Sequence, residues 1–144
     1  MIKSKVLSVD EFRDLSVFVE GHFNACHLQK HRIDEINIQW DRLEAMVLSG
    51  DLYPVVGVNE GKLCGYALLL IDTDIFSGAV LGSVLGSYVS PEFRNLGLFK
   101  FLLGECEKIA KARNCLGISM SYTTNTIIDV DGYEHKESSY FKEL

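Results

Sequence analysis

A short apolar alternation over residues 2–7 predicts an opening β-strand. Ser8 and Glu11 then stand three apart ahead of Phe12, Leu15, Phe18 and Val19, the spacing of a capping box that starts a helix. Ile33, Ile36, Trp40, Leu43, Met46 and Val47 recur at helical spacing and stop near Gly50. Residues 22–48 therefore predict one or two further helices, with Gly21 as the break before them. Residues 53–58 and 63–71 are apolar and rich in β-branched side chains. Asn59-Glu60-Gly61-Lys62 between them predicts an antiparallel hairpin whose glycine supplies the positive φ. After a loop at 72–78, residues 79–89 predict another strand, and its small residues Gly82, Ser83, Gly86 and Ser87 imply that something packs close to the backbone.

Beyond Pro91 the period changes from two to 3.6. Leu98, Phe101, Leu102, Cys106, Ile109 and Ala110 form one helical stripe, and Lys100, Glu107, Lys108 and Lys111 take the polar side. Lys108, Lys111 and Arg113 complement the dipole in the last turns, and Asn114 suits the C-terminal cap. A strand follows over 116–122, with Leu116, Ile118, Met120 and Tyr122 on one face. Strand, helix, strand over 79–122 predicts a right-handed βαβ crossover with two parallel strands. Ligands of such units gather outside the carboxyl ends of the strands, here 87–89 and 122–125. Residues 123–131 read as a polar loop or stunted helix, and 133–141 as a closing strand.

The 144 residues predict one domain over 1–144, and 47% hydrophobic with 24% charged residues places it among globular proteins. Fourteen Lys and Arg against twenty Asp and Glu give a net charge of −6, with no dense basic run, so nucleic acid is not an expected partner. A cationic amine or basic peptide is attracted instead. The N-terminus has no central apolar stretch like a signal peptide, and the longest apolar run, 66–71, is far too short to span a membrane. A soluble, cytoplasmic protein is expected. Cys26, Cys64, Cys106 and Cys115 make no Cys-x-x-Cys pair and read as reduced core thiols.

Arg94-Asn95-Leu96-Gly97-Leu98-Phe99 joins the carboxyl end of a strand to the amino end of a long helix. Unpaired amides and a partial positive charge at such a helix start stabilise a phosphate; Gly97 allows close backbone approach, and Arg94 adds charge-assisted hydrogen bonds. The run Tyr88-Val89-Ser90-Pro91-Glu92-Phe93-Arg94-Asn95-Leu96-Gly97-Leu98 resembles the acyl-CoA-binding segment of the GCN5-related N-acetyltransferase superfamily, Val-x-Pro-x-x-Arg followed by x-x-Gly-x-Gly/Ala. The order of elements around it resembles that fold too. The resemblance implies an α/β architecture: a mixed, mostly antiparallel sheet with a parallel βαβ unit at 79–122 and helices on both faces.

It also implies a site map. Tyr88, Val89 and the neighbouring backbone would pair with the pantetheine arm of acetyl-CoA as if it were an added strand. The amides from Asn95 through Leu96, Gly97 and Leu98 to Phe99 would hold the pyrophosphate, beside Arg94. Asn125 resembles the family's asparagine near the pantetheine. Phe99 stands where the family has a small residue, implying either a different cofactor pose or a ring turned into the core. Too few residues lie between Asn125 and Gly132-Tyr133 for the usual last helix, and the family's acid tyrosine has no clear counterpart. The brevity and divergent ending resemble some phage-borne members.

Acetyl transfer to an amine needs the amine neutral, although a lysine-like amine has a pKa near 10.4. A base, an oxyanion-polarising amide and an acid for the departing thiolate are required. Residues 79–89 contain no Asp or Glu, so the family's familiar base position is empty. His22, Cys26, His27 and His31 lie in the helical segment that borders the acceptor pocket in this fold; His27 and His31, four apart, share a face, and His27 is the base candidate. Asp72 at the hairpin mouth is a second base candidate, and Tyr122, ending the parallel strand, is the acid. Tyr133 and Tyr140 stand behind it. No third ligand joins His27 and His31 by spacing, so no metal is expected.

The function expected is N-acetyl transfer from acetyl-CoA to a primary amine of a small molecule or peptide, by direct attack in a ternary complex. The rival is a catalytically silent CoA-binding or interaction module. Neither a membrane nor nucleic acid is expected as a partner, and the protein is expected to be a monomer or homodimer.

Overall fold

The predicted hairpin forms the middle of the sheet. In a computed structural model describing residues 1–24, 36–121, 130–136 and 142, strands β1 (Lys3–Val6), β2 (Leu52–Asn59), β3 (Lys62–Thr73), β4 (Val80–Val89) and β5 (Gly117–Met120) lie side by side in that order. Every neighbouring pair is antiparallel except β4 and β5, which run parallel across the predicted crossover. Glu60 and Gly61, at φ 49° and 79°, make the two-residue turn between β2 and β3. Positive φ at both positions matches the right-handed twist of the strands.

A 3₁₀ turn (Phe12–Leu15) runs into helix α1 (Ser16–His22); α2 (Trp40–Leu48) and α3 (Leu98–Ala112) are the other described α-helices. The Glu11 carboxylate reaches back to Ser8, 3.3 Å from its amide and 3.0 Å from its hydroxyl, which is one half of the predicted capping box. At the end of α2, Gly50 (φ 81°) bonds Val47 O at 3.1 Å and Asp51 N bonds Met46 O at 3.0 Å. The end of α3 repeats that pattern with Asn114 at φ 57° in place of glycine, so the predicted asparagine cap is present.

Helices cover both faces. On one, Leu98, Leu102, Leu103 and Cys106 of α3 bury Val55, Ala67, Leu69 and Val84 of the sheet. On the other, Phe12, Leu15 and Phe18 pack with Leu52, Val56 and Tyr66 under Trp40 and Leu43 of α2. Arg13 ties α2 to the 3₁₀ turn, with Nε 2.6 Å from Glu44 Oε1 and Nη2 3.1 Å from Asp41 Oδ1. Each wholly buried leucine here, Leu52, Leu69 and Leu102, contributes about 1.5–3 kcal/mol.

Three expectations need correction. Gly21 is not a break: it lies inside α1. Leu116 precedes β5 and is 80% exposed, so among the described residues of the predicted stripe Ile118 and Met120 reach the core and Leu116 does not. Of the predicted closing strand, residues 133–136 are not in a strand, and 137–141 lie outside the described residues. Gly104, in α3, has no described atom outside its own stretch of helix within 4 Å of where a Cβ would stand. Gly104→Ala should therefore raise stability by about 0.5–1 kcal/mol, read as a higher urea midpoint; an unchanged or lower midpoint refutes this.

Candidate active site

The functional end of β4 is made by a bulge. Pairing with β3 passes from Leu69↔Val84 to Leu68↔Gly86, leaving Leu85 as the extra residue. Pairing with β5 stops at Val84↔Met120. Beyond the bulge, residues 86–89 pair with β3 on one side and with no strand among the described residues on the other. Such an edge offers backbone N–H and C=O groups to an extended, amide-bearing chain.

The turn that follows is tightly folded. A short 3₁₀ turn (Pro91–Phe93) leads to Asn95 and Gly97, both left-handed at φ 63° and 77°, and α3 opens with Phe101 N bonding Gly97 O at 3.0 Å. No side chain among the described residues caps this helix, so the amides of residues 98–100 point out of its amino end with the positive end of the dipole. A Cβ at Gly97 would meet no described protein atom within 4 Å. Leu98, 2% exposed, pins the first turn to the core, and Phe99 packs against the same core cluster. Of the two alternatives for Phe99, the ring turned inward is the one found.

Charges around the turn are paired. Arg94 Nε donates to Val89 O at 3.0 Å, and its guanidinium lies 5.5 Å from the Tyr88 ring centroid, so Arg94 ties the turn back onto the strand it leaves. Lys62 Nζ lies 3.4 Å from Glu92 Oε1. The backbone N–H of Glu92 and the Lys62 ammonium hold the Glu92 carboxyl below its ordinary range. Lys100, in the first turn of α3, lies 3.7 Å from Asp131.

Above the β4 edge stands a stack of rings. His22, ending α1, bonds the Tyr66 hydroxyl through Nδ1, and its ring lies 6.1 Å from Tyr88 at an interplanar angle of 19°. Phe18 backs both tyrosines, at 5.6 and 5.7 Å between centroids. Two glycines admit the stack. A Cβ on Gly21 would come within 2.8 Å of Tyr88 Cζ, and one on Gly86 would stand 3.0 Å from His22 Cε1. The close approach that the small residues of β4 imply is thus made by His22, and at Gly82 by Leu69, Ala110 and Ile118.

A sequence-family model described as the acetyltransferase (GNAT) family matches residues 17–127, well over half of the chain. The chain belongs to the GNAT acetyltransferase family. As such it is an acyl-CoA-dependent N-acyltransferase. Among solved structures it is similar to a GNAT family acetyltransferase of Staphylococcus aureus, with TM-score 0.70, 18% identity and 99% and 98% of the two chains covered. A predicted acetyltransferase of Clostridium acetobutylicum, solved with acetyl-CoA, gives 0.67 at 15% identity over 95% and 96%. An aminoglycoside acetyltransferase from an uncultured soil metagenomic sample, in complex with sisomicin, gives 0.67 at 11% over 95% and 97%. At these identities the likeness establishes the fold. No protein of curated function matches the sequence.

In this GNAT chain the structure brings Tyr88, Val89 and residues 94–99 together at one end of the sheet. Asp72 is not with them. It pairs with Leu81, eight residues along β4 from Val89, about 25 Å away at the rise of a strand, and its carboxylate accepts the Thr73 amide at 2.8 Å. Hairpin geometry sends it to the opposite end of the sheet, so the expectation of Asp72 as base is set aside. Tyr122, His27 and Asn125 lie outside the described residues, as do Cys26, His31 and Tyr140. Tyr133 Oη donates to Glu107 Oε1 at 3.0 Å, on the α3 side. Cys64 and Cys106 are buried free thiols, and burial pushes Cys106 up to about 12, which leaves no thiolate there at neutral pH. Among the described residues no group of three His, Cys, Asp or Glu could hold a metal, and no helix is long and apolar enough to cross a membrane.

The site features missed by sequence reasoning are the bulge at Leu85 and the contact of His22 with Gly86. Glycines inside a strand pattern were the available signal for both.

Proposed function

We propose that this protein transfers the acetyl group of acetyl-CoA to a primary amine of a small molecule, by direct attack in a ternary complex within one domain. The observation that carries the reading is the uncapped start of α3 at left-handed Gly97, reached directly from a β4 edge that β5 does not pair. Acetyl-CoA supplies an acyl group already activated as a thioester. The amides of residues 95–99 hold its diphosphate at the positive end of the helix, and Tyr88 and Val89 offer backbone to the amides of its pantetheine arm. On the family resemblance Asn125 is the residue assigned to that arm, and Tyr122 is the acid for the departing thiolate. Positioning then supplies much of the rate without a covalent enzyme intermediate. A net charge of −6 favours cationic acceptors, and aminoglycosides, the named substrate class of one structural neighbour, are such amines.

Titration calorimetry with CoA and acetyl-CoA, followed by thiol release over aminoglycosides, polyamines and lysine-ended peptides, tests this. Saturable CoA binding and release with a small amine are expected. A protein that binds neither nucleotide defeats the reading. A second reading, a silent CoA-binding module, is favoured by Ser83 of β4, whose hydroxyl lies 3.1 Å from that of Ser119 on a strand without a carboxylate. Tight CoA binding without release on any amine would select it.

A further inference from the structure

We infer that the His22 imidazole, held through Nδ1 by the Tyr66 hydroxyl, is the base that takes the proton from the acceptor amine. This rests on the acyl-transfer reading above. A primary amine near pKa 10.4 is almost wholly protonated at neutral pH, and β4 carries no carboxylate to receive its proton. The group that stands over the β4 bulge is instead an imidazole. Its Cε1–Nε2 edge faces Gly86, 3.0 and 3.7 Å from where a Cβ would stand, and any side chain at residue 86 would displace it.

The ring is fixed rather than loose. Tyr66, 7% exposed and on the central strand β3, binds Nδ1; Tyr88 stacks on the ring's face. In the tautomer that donates Nδ1–H to the Tyr66 oxygen, Nε2 carries the lone pair, and Nε2 is the nitrogen turned toward β4. Among the described residues, the titratable and charged groups facing the imidazole from the elements around it are Tyr66 of β3 and Tyr88 of β4, the latter carrying the Arg94 guanidinium on its ring. A cofactor held by its diphosphate at Gly97 with its arm along the β4 edge would run from Val89 toward Gly86, the residue that the imidazole faces.

The proton balance is simple. One ammonium proton passes to Nε2, the freed lone pair forms the new C–N bond, and the C–S electron pair leaves with the thiolate; the acid protonates the sulfur and is restored by the second N–H proton, which the acylated nitrogen sheds as it becomes an amide. His22 is thus the catalytic base, and Tyr66 is a positioning residue that keeps Nε2 aimed.

The test compares wild type, His22→Gln, His22→Asn and Tyr66→Phe in CoA titration calorimetry and in thiol release. Each is run with a lysine-like amine and with hydroxylamine, which is already neutral at the assay pH. Both His22 variants should keep wild-type CoA affinity and lose about 100-fold or more in kcat/KM on the lysine-like amine, the range of a general base. They should lose far less on hydroxylamine, and their deficit should shrink as pH rises toward the amine's own pKa. Tyr66→Phe should give an intermediate loss, and in proton NMR it should move the imidazole titration that His22→Gln removes.

Equal losses on both amines, a loss of CoA affinity in both His22 variants, or turnover within about threefold of wild type each overturn the assignment. Wild-type protein that releases no thiol with any amine removes the acyl-transfer reading as well. Active wild type with equally active variants removes the base alone.

Discussion

Gly97→Asn should fold as the wild type does and bind CoA about 100-fold more weakly. Residue 97 is left-handed at φ 77°, where most side chains are strained by about 1–2 kcal/mol, but asparagine visits that region routinely. Asn95, two residues earlier, already sits there at φ 63°. Because a Cβ at 97 meets no described protein atom within 4 Å, packing imposes no further cost. The fold therefore needs the conformation at 97 and not the absence of a side chain. On the site proposed above, what needs that absence is a diphosphate approaching the amides that open α3. Hydrogen bonds to a charged acceptor contribute about 1.5–3 kcal/mol each, and losing even one or two of them reaches the roughly 2.7 kcal/mol of a hundredfold change. A thermal melt checks the fold and calorimetry the affinity. A Gly97→Asn protein that melts as wild type and binds CoA equally well would place the diphosphate elsewhere.

The turn was legible because its signals are local. Proline, glycine and the switch from period two to period 3.6 all fall within ten residues of Gly97, and burial then realises them in α3. The hairpin, the parallel crossover and both helix caps were readable for the same reason. What escaped reading depends on partners far along the chain. Gly21 carries the composition of a helix break, but its absent side chain makes room for Tyr88 of β4. His22 was one of four polar or thiol residues in a helical segment, and what places it over β4 is the packing of α1 against that strand, a contact between His22 and Gly86, residues far apart in the chain. The bulge is a register shift set by where β3 and β5 hold β4, and no window of sequence contains both neighbours. Asp72 had suitable chemistry at the wrong end: the antiparallel register that brings Gly65 to Val89 carries Asp72 to Leu81.

That same pairing of Gly65 with Val89 makes Gly65→Ala the other large effect. A Cβ at residue 65 would stand 2.6 Å from Tyr88 O and 3.2 Å from Val89 Cα, both backbone atoms, and 3.3 Å from Leu98 Cδ2. A side chain in the way can rotate, but backbone held in a ladder must move with its strand. The methyl therefore has to part β3 from β4, at a cost of about 3 kcal/mol. Gly57→Ala offers the comparison, since its nearest contact, at 2.8 Å, is Leu98 Cδ1, the end of a side chain that can turn. It should cost about 1 kcal/mol. The parting at Gly65 also displaces Val89, whose carbonyl anchors Arg94, and Leu98, which begins α3. Gly65→Ala should accordingly weaken CoA binding at temperatures where the protein remains folded, whereas Gly57→Ala should leave it nearly intact. Urea melts give the stabilities and calorimetry the affinities. Equal costs for the two substitutions would mean that the β3–β4 ladder yields there as easily as a leucine rotamer, and the close backbone contact would then not be what holds the cofactor turn in place.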